Sequence, residues 1–157
     1  MPRDEPLLLD AMLGKLARYL RMCGYDAAYA LDREVEADEE LSAWARAEGR
    51  VIVTRDRQLA ARAPGSVRID AREVTEQLRE LDANGFDISL AERPARCGRC
   101  NGPVDAVDGG ASTPDYAPDP AETACYRCRE CGQVFWKGSH WDDVRARLSA
   151  VTGDEDE

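Results

Sequence analysis

The sequence predicts an α/β fold, with a mostly parallel sheet flanked by helices, followed by a small cysteine-rich module. Over the first 90 of the 157 residues, short apolar runs typical of buried strands alternate with segments whose apolar residues have helical spacing. Five of the six cysteines then lie between positions 97 and 131, in C-x-x-C spacings. The alternation of strands and helices favours a parallel sheet, because the connecting helices must pack back on its faces.

Each predicted strand is followed by a predicted helix, and Gly24 and Gly49 are expected to end the first two helices. We therefore predict an α/β domain over residues 1–90, a cysteine-rich module with a C-terminal helix over 91–152, and a solvated acidic tail over 153–157. The predicted strands are Leu7–Asp10, Asp26–Ala30, Val51–Thr54 and Val67–Ile69. The predicted helices are Met12–Cys23, Asp38–Glu48, Gln58–Arg62, Arg72–Ala83 and Trp141–Val151.

The composition is acidic and poor in lysine. The formal net charge is −10, and Lys15 and Lys137 are the only lysines among 21 basic residues. This composition suits a salt-loving microbe or, alternatively, a GC-biased genome and an acidic tail. An acidic balance argues against nucleic-acid partners in general, so any such site must be a local basic patch.

No apolar run approaches the roughly 20 residues of a membrane helix, and no signal peptide opens the chain, so we expect a soluble, cytoplasmic protein.

Two C-x-x-C pairs predict a tetrahedral metal site of the zinc-ribbon type. Cys97 and Cys100 form the first pair, and residues 101–127 separate it from Cys128 and Cys131. A tight turn lets both thiolates of a pair reach one ion, and two such turns complete a tetrahedron around Zn²⁺. Four thiolates leave no open coordination position, so this zinc would be structural. A redox dithiol and a cluster of disulfides are the alternatives.

The second cysteine pair is ambiguous, because Cys125, Cys128 and Cys131 form C-x-x-C-x-x-C. Metal-binding turns favour a residue that tolerates a left-handed backbone directly after the second cysteine. Asn101 follows the first pair and Gly132 follows Cys131, whereas an arginine follows Cys128. The turn chemistry therefore selects Cys128 with Cys131, and it leaves Cys125 as a small buried residue on the preceding strand.

Three aspartates are candidates for a second metal site. Asp10 ends the first strand, Asp56 follows the third, and Asp38 begins the helix between them. The carboxyl ends of parallel strands face a common crevice, where gathered acids repel one another unless a divalent cation neutralises them. Mg²⁺ or Mn²⁺ held there could activate water for phosphodiester hydrolysis. Chance placement is the alternative in a chain with 31 acids, and Asp38 could simply cap its helix.

Basic residues lie close to these acids in the sequence. Lys15, Arg18 and Arg21 recur every three residues along the first predicted helix, and Arg55 precedes Asp56. Cations beside a carboxylate–metal crevice could contact a phosphate backbone, and Lys15, Arg18 and Arg55 are the candidates for this role. The alternative is a solvated helix face with intrahelical partners.

The motifs that carry these residues resemble one known family. Residues 9–26, LDAMLGKLARYLRMCGYD, resemble the opening D-x-M-L-G-K-L-A-R-x-L-R-x-x-G-x-D of the Mut-seven C-terminal RNase domain family. The resemblance continues in order along nearly the whole chain. Its further motifs are Asp38–Leu41, Glu48–Arg50, Thr54–Leu59, Glu76–Leu78, Arg96–Gly102, Cys128–Gly132 and Trp136–Trp141.

This resemblance implies a PIN-like nuclease fold joined to a zinc ribbon, and metal-dependent hydrolysis of RNA phosphodiester bonds. Asp10, Asp38 and Asp56 match the acidic positions of the family. Cys128 and Cys131 match its second cysteine pair. Mg²⁺ or Mn²⁺ would then be the catalytic cofactor, Zn²⁺ the structural one, and RNA the partner.

Two residue assignments and the activity itself have alternatives at this point. PIN nucleases often use a fourth acid, for which Asp70 is a candidate. His140, the single histidine, could bond an RNA phosphate while Trp136 and Trp141 stack on bases, or all three could be structural and pack the ribbon on the α/β domain. The rival functions are a non-catalytic RNA- or ribosome-binding module and a protein-interaction adaptor.

Overall fold

Four short strands form a parallel sheet in the N-terminal half of the protein. They are β1 (Leu7–Leu9), β2 (Ala27–Tyr29), β3 (Val51–Thr54) and β4 (Val67–Arg68). In the computed structural model, which describes residues 3–152, their order is β2-β1-β3-β4 and every pairing is parallel. The predicted α/β class is confirmed. The predicted acidic tail lies outside the described residues.

Helices connect the strands. The largest difference from the prediction lies at the start of the first helix, which was expected to begin at Met12 and begins at Gly14. Residues 11–13 form a single 3-10 turn, because the Asp10 carboxylate accepts a hydrogen bond from the Ala11 amide and caps the turn there. The α-helices of the described residues are α1 (Gly14–Met22), α2 (Asp38–Glu48), α3 (Arg57–Arg62), α4 (Val74–Ala83) and α5 (Ser139–Thr152). Within residues 3–152, none of the helices has the length and apolar character that a membrane crossing requires.

The sheet separates two hydrophobic cores, which follow from the alternation of side chains along each strand. Leu7 and Leu9 of β1 face one core, and Leu8 faces the other. The first core contains the inner faces of α1, α4 and α5, and the second contains that of α2. All three leucines are fully buried, which explains why β1 is an uninterrupted apolar run.

A three-stranded antiparallel sheet follows the α/β sheet. Its strands are β5 (Val104–Ala106), β6 (Cys125–Cys128) and β7 (Val134–Trp136), with β6 in the centre. The chain then returns to the first sheet, where α5 packs beside α4 and buries its apolar residues in the first core. The C-terminal helix therefore fastens the C-terminal end of the small sheet's segment to the α/β core.

Candidate functional site

Four cysteines gather at the turns of the small sheet, and we call them the cysteine cluster: Cys97, Cys100, Cys128 and Cys131. Their Sγ atoms all lie within 4.8 Å of one another. The Sγ atoms of Cys97 and Cys131 are 3.6 Å apart, and those of Cys100 and Cys128 are 3.5 Å apart. A tetrahedral zinc with bonds of about 2.3 Å places its sulfurs roughly 3.8 Å apart. The cluster is therefore compatible with a zinc ribbon, as predicted.

The backbone of both cysteine turns has the conformation that the sequence predicts. Asn101 has a φ of 71° and Gly132 a φ of 78°, so each lies in the left-handed region directly after the second cysteine of its pair. The turn around Cys128 directs two amides at its sulfur, from Glu130 at 3.4 Å and from Cys131 at 3.5 Å. Burial opposes ionisation of Cys128, but these amides, together with hydrogen bonds from the Cys100 and Cys131 thiols, lower the pKa of this thiol.

The cluster also requires the absence of a side chain at Gly102. A Cβ at this position would lie 2.9 Å from the Cys128 sulfur and 3.2 Å from that of Cys100. Cys125, in contrast, is outside the cluster and only 1% exposed, and its Sγ faces the Thr123 carbonyl at 3.3 Å. It is the small buried residue at the start of β6 that the sequence predicts.

Two of the three predicted acids lie at the ends of neighbouring parallel strands and are linked by one hydroxyl. Thr54, the last residue of β3, donates from Oγ1 to Asp10 Oδ2 at 2.6 Å. The same Oγ1 accepts a hydrogen bond from the Asp56 amide at 2.9 Å. Asp56 then caps α3, because its Oδ1 accepts from the Gln58 amide at 2.8 Å. We call Asp10, Thr54 and Asp56 the acidic edge.

Asp10 is a buried carboxylate without a basic partner. Its exposed fraction is 6%, and no lysine, arginine or histidine of residues 3–152 forms an ion pair with it. Its only side-chain hydrogen bonds within this range are those with Ala11 and Thr54. A buried charge ordinarily has a partner, so this arrangement suits an added cation.

The third predicted acid has a different environment. Asp38 is the first residue of α2, and Ala37 takes the N-cap position, so the interpretation of Asp38 as a side-chain cap is wrong. Its carboxylate lies 3.8 Å from Nη1 of Arg62 on α3. Among the described residues, the cysteine cluster is the single group of three or more potential ligands close enough to share one ion. The three aspartates are therefore not gathered as a closed set.

The candidate fourth acid lies at the end of β4. Asp70 is exposed, and its carboxylate pairs with Arg68, the last residue of β4, two positions earlier. Its carbonyl accepts a hydrogen bond from Nη2 of Arg55 at 3.4 Å. Arg55 is half-buried, and its Nε has no acceptor among the described residues. This arrangement holds the Arg55 guanidinium between the ends of β3 and β4.

The three basic residues of the first helix have two different roles. Lys15 and Arg18 are exposed and form no hydrogen bond or ion pair within residues 3–152. They line a groove of about 340 Å³ together with Tyr29 and Arg99, which we call the basic groove. Arg21, in contrast, is 3% exposed, because it lies on the buried side of α1. The regular spacing of three therefore does not make one solvated face.

Arg21 and Asn101 join the cysteine cluster to the parallel sheet. Arg21 donates to the Ala27 carbonyl at 2.9 Å and to the Gly98 carbonyl, within the first cysteine turn, at 3.0 Å. The Asn101 side chain accepts from the Ala27 amide at 2.9 Å and donates to Asp26 at 2.7 Å. The sequence marks Asn101 as a turn residue, but it does not reveal that this side chain spans the two sheets.

His140 and the two tryptophans lie where α5 begins. His140 is exposed, Trp136 is half-buried and stacks on Tyr116, and Trp141 is 5% exposed. All three line a second groove, between β7 and α1. The two tryptophans therefore border a cavity between the small sheet and α1.

Comparison with known proteins adds one finding to this geometry. A sequence model of the Mut7-C RNAse domain family matches residues 5–148. No curated protein and no solved structure matches the chain. The family match covers nearly the whole chain, including the acidic edge and all four cysteines of the cluster. The chain therefore belongs to the Mut7-C RNAse domain family.

Proposed function

We propose that the protein is a metal-dependent ribonuclease with a PIN-like acidic site and a structural zinc ribbon. In this proposal Asp10, Asp56 and Asp38 hold Mg²⁺ or Mn²⁺, and Cys97, Cys100, Cys128 and Cys131 hold Zn²⁺. Lys15, Arg18, Arg55 and His140 contact the RNA. The observation that supports the proposal most is the acidic edge, where Thr54 ties two aspartates to the carboxyl ends of adjacent strands.

The donor chemistry of the acidic edge fits a hard divalent cation. Carboxylate and hydroxyl oxygens are ligands that Mg²⁺ and Mn²⁺ accept. Asp10 is buried without an ion-pair partner among the described residues, and Asp56 uses one oxygen, Oδ1, for its capping bonds. Each carboxylate therefore retains lone pairs for a metal. When bound, such an ion lowers the pKa of its water and stabilises charge on a phosphodiester oxygen.

Asp38 is the least prepared member of the proposed set, because Arg62 lies 3.8 Å from its carboxylate. Binding of a cation would have to compete with this ion pair, which is partly solvated on both sides. Asp38 would then act as a further ligand or orient metal-bound water, while Asp10 and Asp56 form the core of the site.

The basic groove lies beside the same end of the sheet and supplies the proposed phosphate contacts. Tyr29, the last residue of β2, forms its wall and donates to the Ala11 carbonyl, next to Asp10. Lys15 and Arg18 contribute cations from α1, and Arg99 contributes one from the first cysteine turn. In a protein with a net charge of −10, this local concentration of cations is the kind of patch that a phosphate backbone requires.

The proposal is tested by RNA cleavage with the zinc-loaded protein in Mn²⁺. Asp10→Asn and Asp56→Asn should each reduce the cleavage rate by about 100-fold or more, because each weakens transition-state charge stabilisation worth several kcal/mol. Asparagine caps a helix as well as aspartate does, so Asp56→Asn should keep its folding stability. Asp82→Asn, an exposed change on α4, is the matched control and should cleave normally.

A non-catalytic RNA-binding module is the second candidate, favoured by the finding that the three aspartates are not gathered as a closed set. RNA that binds tightly but is never cut, with equal binding by the wild type and Asp10→Asn, would establish this alternative. If RNA does not bind even at low salt, the nucleic-acid proposals both fail and a protein-interaction adaptor becomes the better account.

A further inference from the structure

The second groove lies between β7 and α1 and has an aromatic lining. It has a volume of about 340 Å³, within the range of roughly 300–1,000 Å³ typical of small-molecule sites. Phe135 and Trp136 of β7 line one side, and Met22 of α1 and Pro94 line the other. We call this cavity the aromatic groove. Its flat and apolar lining suits a ring rather than a phosphate alone.

The groove is shaped by a residue that cannot carry a side chain. A Cβ at Gly138 would lie 2.7 Å from Nε1 of Trp136, so glycine is required for the Trp136 indole to take its place. Tyr116 also restricts the Trp136 indole, because its ring stacks on that indole with centroids 6.3 Å apart. The Trp136 ring is thus held in one orientation before any ligand arrives, which reduces the entropy cost of stacking.

A buried donor of the groove has no partner within the protein. Trp141 is 5% exposed, and its indole N–H finds no acceptor among residues 3–152. Buried polar groups are almost always hydrogen-bonded, so an unpaired donor calls for an explanation. The nitrogen is also shielded from solvent in the open groove, so an occupant with a carbonyl or ring-nitrogen acceptor would satisfy it only if the Trp141 side chain turns toward the groove.

The rim of the aromatic groove is cationic and continues into the basic groove. Arg18 lines both cavities, as does Gly98 of the first cysteine turn. His140 stands exposed at the rim and has no hydrogen-bond partner for its side chain within residues 3–152. An occupant with an aromatic ring and an attached phosphate would therefore meet complementary groups at both of its ends.

We propose that the aromatic groove binds one unstacked nucleotide of an RNA strand, whose phosphates continue along Arg18 into the basic groove. The base would lie against Trp136 and Phe135, and, with the Trp141 side chain turned toward the groove, an acceptor on its edge would take the Trp141 N–H. This inference rests on the proposed interaction with RNA, but it does not depend on cleavage. It implies that the preferred substrate has an unpaired nucleotide at this place, because a base within a duplex cannot reach the groove.

The test measures the binding of nucleoside 5′-monophosphates and of ribose 5-phosphate to the zinc-loaded protein. Binding is detected by tryptophan fluorescence and by calorimetry. The nucleotides should quench tryptophan emission and bind at least about tenfold more tightly than ribose 5-phosphate, because one stacked base accounts for such a factor. Trp141→Phe keeps an aromatic ring and removes the N–H, and it should weaken nucleotide binding several-fold. Trp44→Phe removes an indole N–H in the second core and is the matched control.

A second variant covers the case in which Trp141→Phe folds poorly. His140→Ala changes an exposed residue, so it should leave the melting temperature unchanged and weaken nucleotide binding. Equal binding of nucleotides and ribose 5-phosphate, or no saturable binding of either, would overturn the inference. Protein that cuts RNA but shows either result would lose the base site and keep the ribonuclease proposal. Protein that binds nucleotides but never cuts RNA would keep the base site and lose the ribonuclease.

Discussion

The cysteine cluster and the acidic edge are two candidate metal sites that the chain builds in different ways. The cysteine cluster is closed, since four sulfurs from two local turns surround one position within 4.8 Å. The acidic edge is open, since Asp10 and Asp56 lie 46 positions apart in the sequence, each just beyond the end of a strand, and share only the Thr54 hydroxyl. A closed set braces the fold, whereas an open set leaves room for water and substrate. The difference supports the proposal that the cysteines are structural and that the carboxylates carry the chemistry.

The largest expected effect comes from opening the closed site. Cys128→Ser should abolish binding of one zinc per chain and unfold the small sheet, because structural zinc in such modules contributes about 10–16 kcal/mol. Cys125→Ser is the matched control, since its sulfur faces backbone carbonyls outside the cluster. Metal analysis and thermal unfolding measure both effects. Zinc retained by Cys128→Ser and lost by Cys125→Ser would reverse the ligand assignment.

The next effect concerns the residue that joins the two regions. Arg21→Ala leaves two carbonyls and Asp32 without their donor, and it should lower the free energy of unfolding by about 3 kcal/mol. Arg18→Ala, one turn away on the exposed face of α1, should change it by less than about 0.5 kcal/mol. Urea denaturation of zinc-loaded protein separates the two. Equal small losses would mean that Arg21 belongs to a solvated face after all.

A smaller effect separates the two functions of Asn101. Asn101→Gly keeps the left-handed turn but loses the hydrogen bonds to Asp26 and Ala27, which should cost about 1–2 kcal/mol. Asn101→Ala loses the same bonds and also strains the turn, for roughly another 1–2 kcal/mol. The two variants are compared by denaturation and by zinc affinity. If Asn101→Ala and Asn101→Gly have the same stability and zinc affinity, the left-handed turn does not contribute to the contact between the cysteine cluster and the parallel sheet.

The smallest effect is a pH dependence of stability that arises from Asp26, the hydrogen-bond partner of Asn101. Partial burial opposes ionisation of Asp26, but hydrogen bonds from Arg50 and Asn101 outweigh it and hold its pKa below the usual 3.8. Its contribution to stability is therefore complete at neutral pH and is lost as the pH falls below about 4. The difference in unfolding free energy between wild type and Asp26→Asn, under about 1 kcal/mol, should shrink over this range. A difference that grows on acidification would give Asp26 a raised pKa instead.

The parts of this structure that the sequence predicts are those fixed by local chemistry. The positive φ values of Asn101 and Gly132 follow from the identity of the residues after each cysteine pair, and these select Cys128 over Cys125. The strand at Val51–Thr54 follows from its run of β-branched residues, whose type and burial agree. Each of these inferences depends on a few adjacent residues and on no distant contact.

The parts that the sequence does not predict depend on contacts between distant segments. Arg21 carries the same charge as Lys15 and Arg18, and only the position of β2 and of the first cysteine turn makes its burial favourable. In the sequence, Thr54 is simply the last residue of a predicted buried strand. Its hydroxyl, two positions before Asp56, was the available signal for a polar link between the two aspartates. The alternative that Asp38 caps α2 is wrong, because the helix includes Asp38 and Ala37 takes the N-cap position.

The central claim, that the chemistry belongs to the acidic edge and not to the cysteine cluster, is tested most directly by Mn²⁺ binding to zinc-loaded protein. Electron paramagnetic resonance of free Mn²⁺ counts the bound ions while metal analysis counts zinc. We predict a saturable Mn²⁺ site in the wild type and in Asp82→Asn that is lost in Asp10→Asn, with zinc content unchanged in all three. Unaltered Mn²⁺ binding by Asp10→Asn, or Mn²⁺ that binds only by displacing zinc, would contradict the account.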